Sequence, residues 1–227
     1  MKFALLGAAM LGLCWNMPVA AAPQLALGTA SGTPGSATSV TNQFISEVSV
    51  VALQYDVLFD GGKLGAASAF TGNALLDHQL FLSSPGPGTS RVVVYSLSNA
   101  QLSNGVLAQL YFTIAANAPV GATAVTFTNG ILASPAGQAI DGANYVPGSI
   151  TIVAGPARLG TVARAQNGLV QFEVTGSYNG NYVIQASNNL IDWTPLGTNI
   201  AVNGIIQLQD NDSAIFPTRF YRAVVAR

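Results

Sequence analysis

Between Val106 and Ile114, the residues Val106, Ala108, Leu110, Phe112 and Ile114 share one parity and are all apolar, with Gln109, Tyr111 and Thr113 between them. A pleated strand sends such alternate sets to opposite faces, so this stretch predicts a strand with a core face and a solvent face. The same alternation sets Leu53, Tyr55, Val57 and Phe59 against Gln54, Asp56, Leu58 and Asp60. Further strand-like segments run from Gln24 to Gly28, Ser39 to Ser46, Arg91 to Ser96, Thr123 to Asn129 and Ser149 to Val153, with Gly, Pro and Asn between them. Short strands at this spacing, without a helical period, predict an all-β sandwich or barrel. The run Phe81 to Ser90, with Pro85, Gly86, Pro87 and Gly88, is expected to be a surface loop. Leu64 to His78 is less regular and fits a short helix or a covering loop.

After Ala154-Gly155-Pro156 the alternation restarts, which places a linker at 154–156 between two domains. Val170, Phe172 and Val174 alternate with polar neighbours, as do Tyr182, Ile184 and Ala186. Ile206, Leu208, Tyr221, Ala223 and Val225 continue the pattern. The expectation is a smaller β-sandwich over 157–227, near the lower size for folding without staples and leaning on its neighbour.

At the N-terminus Lys2 precedes an apolar run, Phe3 to Leu13, then Pro18 and Val19-Ala20-Ala21-Ala22. These are the zones of a secretory signal peptide, expected to span 1–21. The run is shorter than the ~20 residues a spanning helix needs, so no membrane span is expected in the mature chain. Cleavage would remove Cys14, the only cysteine, leaving an extracellular chain that holds together by packing alone. Charged residues make up 7% of the chain and the net charge is -1, which leaves no basic surface for nucleic acid.

The candidate chemistry is sparse. The acids fall mostly at strand ends and turns, where solvated carboxylates are ordinary, and no catalytic pair is expected. The single histidine, His78, lacks a nucleophile elbow, and no cysteine accompanies it as a zinc ligand. No cofactor is expected. Asp210-Asn211-Asp212 has the oxygen ligands of a calcium turn but not its glycine and distal glutamate; a polar turn is the plainer reading. Trp193 is expected to plug the smaller core, and Arg219 and Arg222 lie beside aromatics suited to cation-π pairing. The binding candidates are the outward positions Gln54, Asp56, Tyr95, Gln109 and Tyr111, which form either a recognition patch or an ordinary solvated sheet face.

Several segments occur in an order that resembles a cohesin domain over roughly 24–153. They are Gly32 to Val40, the Leu53 to Asp60 strand with Leu64 after it, Arg91-Val-Val-Val-Tyr-Ser96, Asn104-Gly-Val-Leu-Ala108, Ala118-Pro-Val-Gly121 and Gly148-Ser-Ile-Thr-Ile-Val153. The resemblance implies a nine-stranded jelly-roll sandwich without catalytic activity, related to carbohydrate-binding modules, of the kind that captures dockerin-bearing enzymes in polysaccharide breakdown. Tyr182-Val-Ile-Gln-Ala-Ser187, Leu190, Trp193 and Arg219-Phe-Tyr-Arg222 resemble a small module that ends many secreted bacterial proteins. The expected function is thus secreted, non-enzymatic binding of a protein partner, dockerin-like, or of a polysaccharide. A structural or adhesive role in the cell envelope is the alternative.

Overall fold

A computed structural model describes residues 21–226, with the backbone alone for 66 and 67. The expected signal peptide therefore lies outside the described residues except for its last position. The fold is all-β, its single helical turn being Ser213–Ile215.

The first part of the chain forms β1 (Gln24–Leu27), β2 (Thr29–Gly32), β3 (Ala37–Ile45), β4 (Ala52–Phe59), β5 (Leu64–Thr71), β6 (Gln79–Gly86), β7 (Thr89–Tyr95), β8 (Gly105–Ile114), β9 (Gly121–Ala133), β10 (Asn144–Val146) and β11 (Gly148–Ile152). They build a five-stranded sheet, β10-β1-β3-β8-β5, and a six-stranded sheet, β2-β11-β9-β4-β7-β6. The alternation read from the sequence sets which side chains meet between the sheets. Leu53, Tyr55 and Val57 of β4 and Val92 and Val94 of β7 face Val40 and Phe44 of β3 and Leu110, Phe112 and Ile114 of β8, all buried. Phe59 and Phe112 cross the gap edge to face, with ring centroids 5.3 Å apart. Tyr55 donates its hydroxyl to the Asn42 side-chain oxygen, a polar tie between the sheets inside an apolar core. Asn42 in turn donates to the Ala26 carbonyl at 3.3 Å.

The strand count exceeds the nine of the resemblance because the first strand breaks at Gly28 and changes sheets. Its two halves run parallel to the last two strands: β1 to β10 and β2 to β11, while the other ladders are antiparallel. The crossing is tight. A Cβ on Gly148 would stand 2.1 Å from the Gly28 carbonyl oxygen, so only glycine fits there.

Two sequence expectations fail in this part. Phe81 to Ser90 is not a loop: it holds most of β6, a turn at Pro87 and Gly88, and the start of β7. Pro85 is tolerated because β6 is an edge strand whose register slips between Ser83 and Gly86, so its missing N–H breaks no ladder. Gly88, at φ +71°, makes the turn. Leu64 to His78, read as a short helix or covering loop, contains β5, the other edge strand.

Beyond Val153 follow β12 (Arg158–Arg164), β13 (Val170–Thr175), β14 (Asn181–Ser187), β15 (Thr194–Ile200), β16 (Ile205–Asp210) and β17 (Phe220–Val225). They form two three-stranded sheets, β12-β13-β16 and β15-β14-β17, around a separate core of Phe172, Val174, Tyr182, Ile184, Ala201 and Ile206. The Tyr182 hydroxyl donates to the Gly155 carbonyl and accepts from the Ser177 N–H, while Val120 N–H donates to the Tyr178 carbonyl. Residues 154–156 are thereby tied to this second core rather than left free.

Candidate functional site

The five sequence candidates do not form one patch. Gln54 and Asp56 on β4 and Tyr95 on β7 lie on the outer face of the six-stranded sheet, whereas Gln109 and Tyr111 on β8 belong to the five-stranded sheet. The two outer faces point away from each other, so the expected single patch becomes two surfaces.

On the six-stranded face the ladder aligns Phe81, Val93, Gln54 and Ile131 across β6, β7, β4 and β9. Phe81 is 65% and Ile131 57% exposed. The next register position carries Gln79 and Tyr95, joined by a 2.8 Å hydrogen bond from the tyrosine hydroxyl to the glutamine Oε1. The opposite neighbour carries Arg91 beside Asp56. The result is a flat surface with an apolar band flanked by polar groups.

Asp56 is not the open acceptor that alternation implies. It is buried, and its carboxylate accepts from Arg91 Nε at 2.7 Å, from the second Arg91 nitrogen at 2.8 Å and from Asn129 Nδ2 at 2.8 Å. These bonds, the Arg91 pair above all, hold its carboxyl below the usual carboxylate range despite the opposing effect of burial. Asn129 reaches it because the β4–β9 register slips between Gln54 and Asp56, with Asn129 at φ +51°. The group left facing outward is the Arg91 guanidinium. Asn129-Gly130 inside a predicted strand was the only sequence sign of that bulge.

On the five-stranded face Gln109 sits between Phe70 of β5 and Thr41 of β3, and its amide nitrogen donates to the Thr41 hydroxyl at 2.9 Å. Tyr111 packs against Phe70 at 5.2 Å between centroids and 73° between planes. Phe70 had been hidden from sequence reading by the irregular stretch that contains it.

The other candidates have structural partners. Asp210 accepts from Arg219 Nε at 2.5 Å and from the Tyr221 hydroxyl at 3.0 Å, so its carboxylate is committed within the protein. Among the described residues no group of three or more His, Cys, Asp or Glu could hold a metal. Trp193 is not a core plug: it is half-buried, with the Arg222 guanidinium 4.1 Å from its ring centroid. Arg219 covers Phe216 at the same distance.

Comparison with known proteins bears on the larger sandwich. The family model described as the cohesin domain matches residues 23–152. Among solved structures, the cohesin CaCohA2 in complex with the dockerin CaDoc0917 is 26% identical at a TM-score of 0.52, over 58% of this chain and 99% of its own. CaCohA2 from Clostridium acetobutylicum in solution is 26% identical at 0.50, over 58% and 90%. A non-cellulosomal cohesin from the archaeon Archaeoglobus fulgidus shares the fold at 0.51 with 16% identity, over 59% and 92%. No curated protein matches the chain. The jelly-roll pairing of β1 to β11 and a family match over more than half of the residues lead to one assignment: this chain belongs to the cohesin family.

Proposed function

We propose that this protein is an exported, non-catalytic binding protein whose six-stranded face captures a dockerin-bearing partner. The observation that carries the reading is the exposed row Phe81, Val93, Gln54 and Ile131, laid across four hydrogen-bonded strands. Such a surface is rigid, so a partner loses little entropy in ordering it, and its apolar band with a polar rim matches the anatomy of protein interfaces. Arg91 gives that rim a hydrogen-bond donor whose charge is balanced by Asp56. Solved relatives include cohesins in complex with dockerins.

Export is supported by the signal-like N-terminus and by the scarcity of charge. No helix among the described residues is long and apolar enough to cross a membrane. The organisation we propose is a signal through residue 21, a cohesin domain over 22–153, a linker at 154–156 and a small β-module over 157–227, the last two supported by the separate second core.

The test is biolayer interferometry of the mature chain against purified dockerin modules from the organism that makes it. Binding that is lost in Phe81→Ala or Ile131→Asp and kept in Tyr111→Ala supports the reading. Silence against every dockerin refutes it, and tight co-fractionation with the cell surface would then favour an envelope role.

A further inference from the structure

The second surface has a chemistry of its own. None of the strands of the five-stranded sheet contains Asp, Glu, Lys or Arg. Its outward positions are amides, hydroxyls and small residues around one aromatic pair, with Phe70, Gln109 and Thr41 at one register position across β5, β8 and β3 and Ser39 beside Tyr111. Phe70 is 60% exposed.

We propose that this face binds an uncharged polysaccharide, with a sugar ring stacked on Phe70 and its hydroxyls bonded to Gln109 and its neighbours. A pyranose presents C–H groups on its faces and hydroxyls around its rim, so it needs an exposed aromatic ring beside donors and acceptors that are not fully used. Gln109 supplies both. One of its two amide hydrogens goes to Thr41, and the other remains, as does acceptor capacity on the carbonyl. Tyr111, packed edge to face, holds Phe70 in one orientation before any ligand arrives, which lowers the entropy lost on binding.

Two contrasts narrow the occupant. Trp193 and Phe216 are covered by Arg222 and Arg219, so neither ring offers the same free surface. A charged polymer, whether acidic polysaccharide or nucleic acid, would find no counter-charge anywhere on the sheet, while a neutral glycan loses nothing by that absence. The glycan face and the dockerin-binding face lie back to back, so the proposal stands or falls independently of dockerin capture.

The experiment is native affinity electrophoresis of the mature chain in gels containing a neutral β-glucan, a galactomannan or the acidic polygalacturonate, with light scattering for oligomeric state. The expected result is retardation by at least one neutral polymer. Phe70→Ala and Gln109→Ala should each weaken it, by about tenfold for the lost ring, with unchanged melting temperature. Phe81→Ala, on the opposite face, should leave it intact. Gln109→Ala decides the matter if Phe70→Ala fails to fold. Retardation by none of the neutral polymers, retardation by polygalacturonate alone, or retention unaffected by both variants overturns the proposal. So does a dimer of this chain that dissociates on Phe70→Ala, which would assign the face to a second copy.

Discussion

Replacing Arg91 with alanine tests how the six-stranded face is held together. Asp56 has only 3% of its side chain exposed, while Arg91 retains 36%. The two partners are therefore unequal. In Arg91→Ala the carboxylate stays buried with Asn129 as its remaining side-chain donor; in Asp56→Ala the guanidinium can turn to water. Stripping a partner from a fully buried ion pair costs about 3–5 kcal/mol, and the retained Asn129 bond and the partial exposure of Arg91 reduce that to about 2–3 kcal/mol here. Asp56→Ala should cost only about 1 kcal/mol. For a chain of this size a 2–3 kcal/mol loss lowers the melting temperature by roughly 4–12 °C. Adding Asp56→Ala to Arg91→Ala should restore part of it. The pH dependence has a fixed sign. The native carboxyl lies below its ordinary value of 3.8, so the pair's contribution is complete above that value and is lost as pH falls through the lower native one. Urea or thermal unfolding at pH 7 and pH 3 measures both effects. The reasoning is refuted if Asp56→Ala proves as damaging as Arg91→Ala at pH 7, or if the gap between Arg91→Ala and the parent stays constant into acid.

Three other substitutions probe the scaffold. Tyr55→Phe removes the hydroxyl bound to Asn42 and leaves that buried side-chain oxygen without its donor; a loss of about 1–3 kcal/mol should appear as a lower urea midpoint. Gly148→Ala forces a Cβ against the Gly28 carbonyl, and a cost of about 1–3 kcal/mol or more should be measurable by calorimetry. Asp210→Ala strips the acceptor shared by Arg219, whose side chain is 12% exposed, and Tyr221; a loss of about 3 kcal/mol should show as faster amide exchange in β16 and β17, with β3 to β9 unchanged.

The strands that sequence reading found are those buried on one face, such as β4, β7 and β8, where every second side chain must be apolar. The missed edges, β5 and β6, pack less of their length and tolerate Gly and Pro, so period 2 is diluted there. The candidate residues fared according to what alternation can specify. It placed Gln54, Tyr95, Gln109 and Tyr111 away from the core, but parity along a strand does not say which sheet the strand joins. That depends on pairing between residues far apart in the chain, such as Gln54 with Val93 or Gln109 with Thr41. Asp56 shows a second limit: an outward position can still be buried when a bulge on the next strand aims Asn129 at it and Arg91 folds over it. Trp193 shows the converse, since a cation can cover an aromatic ring that the core leaves aside.

The parallel seam joining β1 and β2 to β10 and β11 sets an order of assembly. Gln24 pairs with Asn144 and Thr29 with Ser149, so the opening segment of the sandwich has no lasting partner on that side until about 120 further residues have emerged. Hairpins in the middle can form early, but closure waits for the end of the domain. A fragment stopping at Ala133 would carry two raw margins, prone to recruit strands from neighbouring molecules.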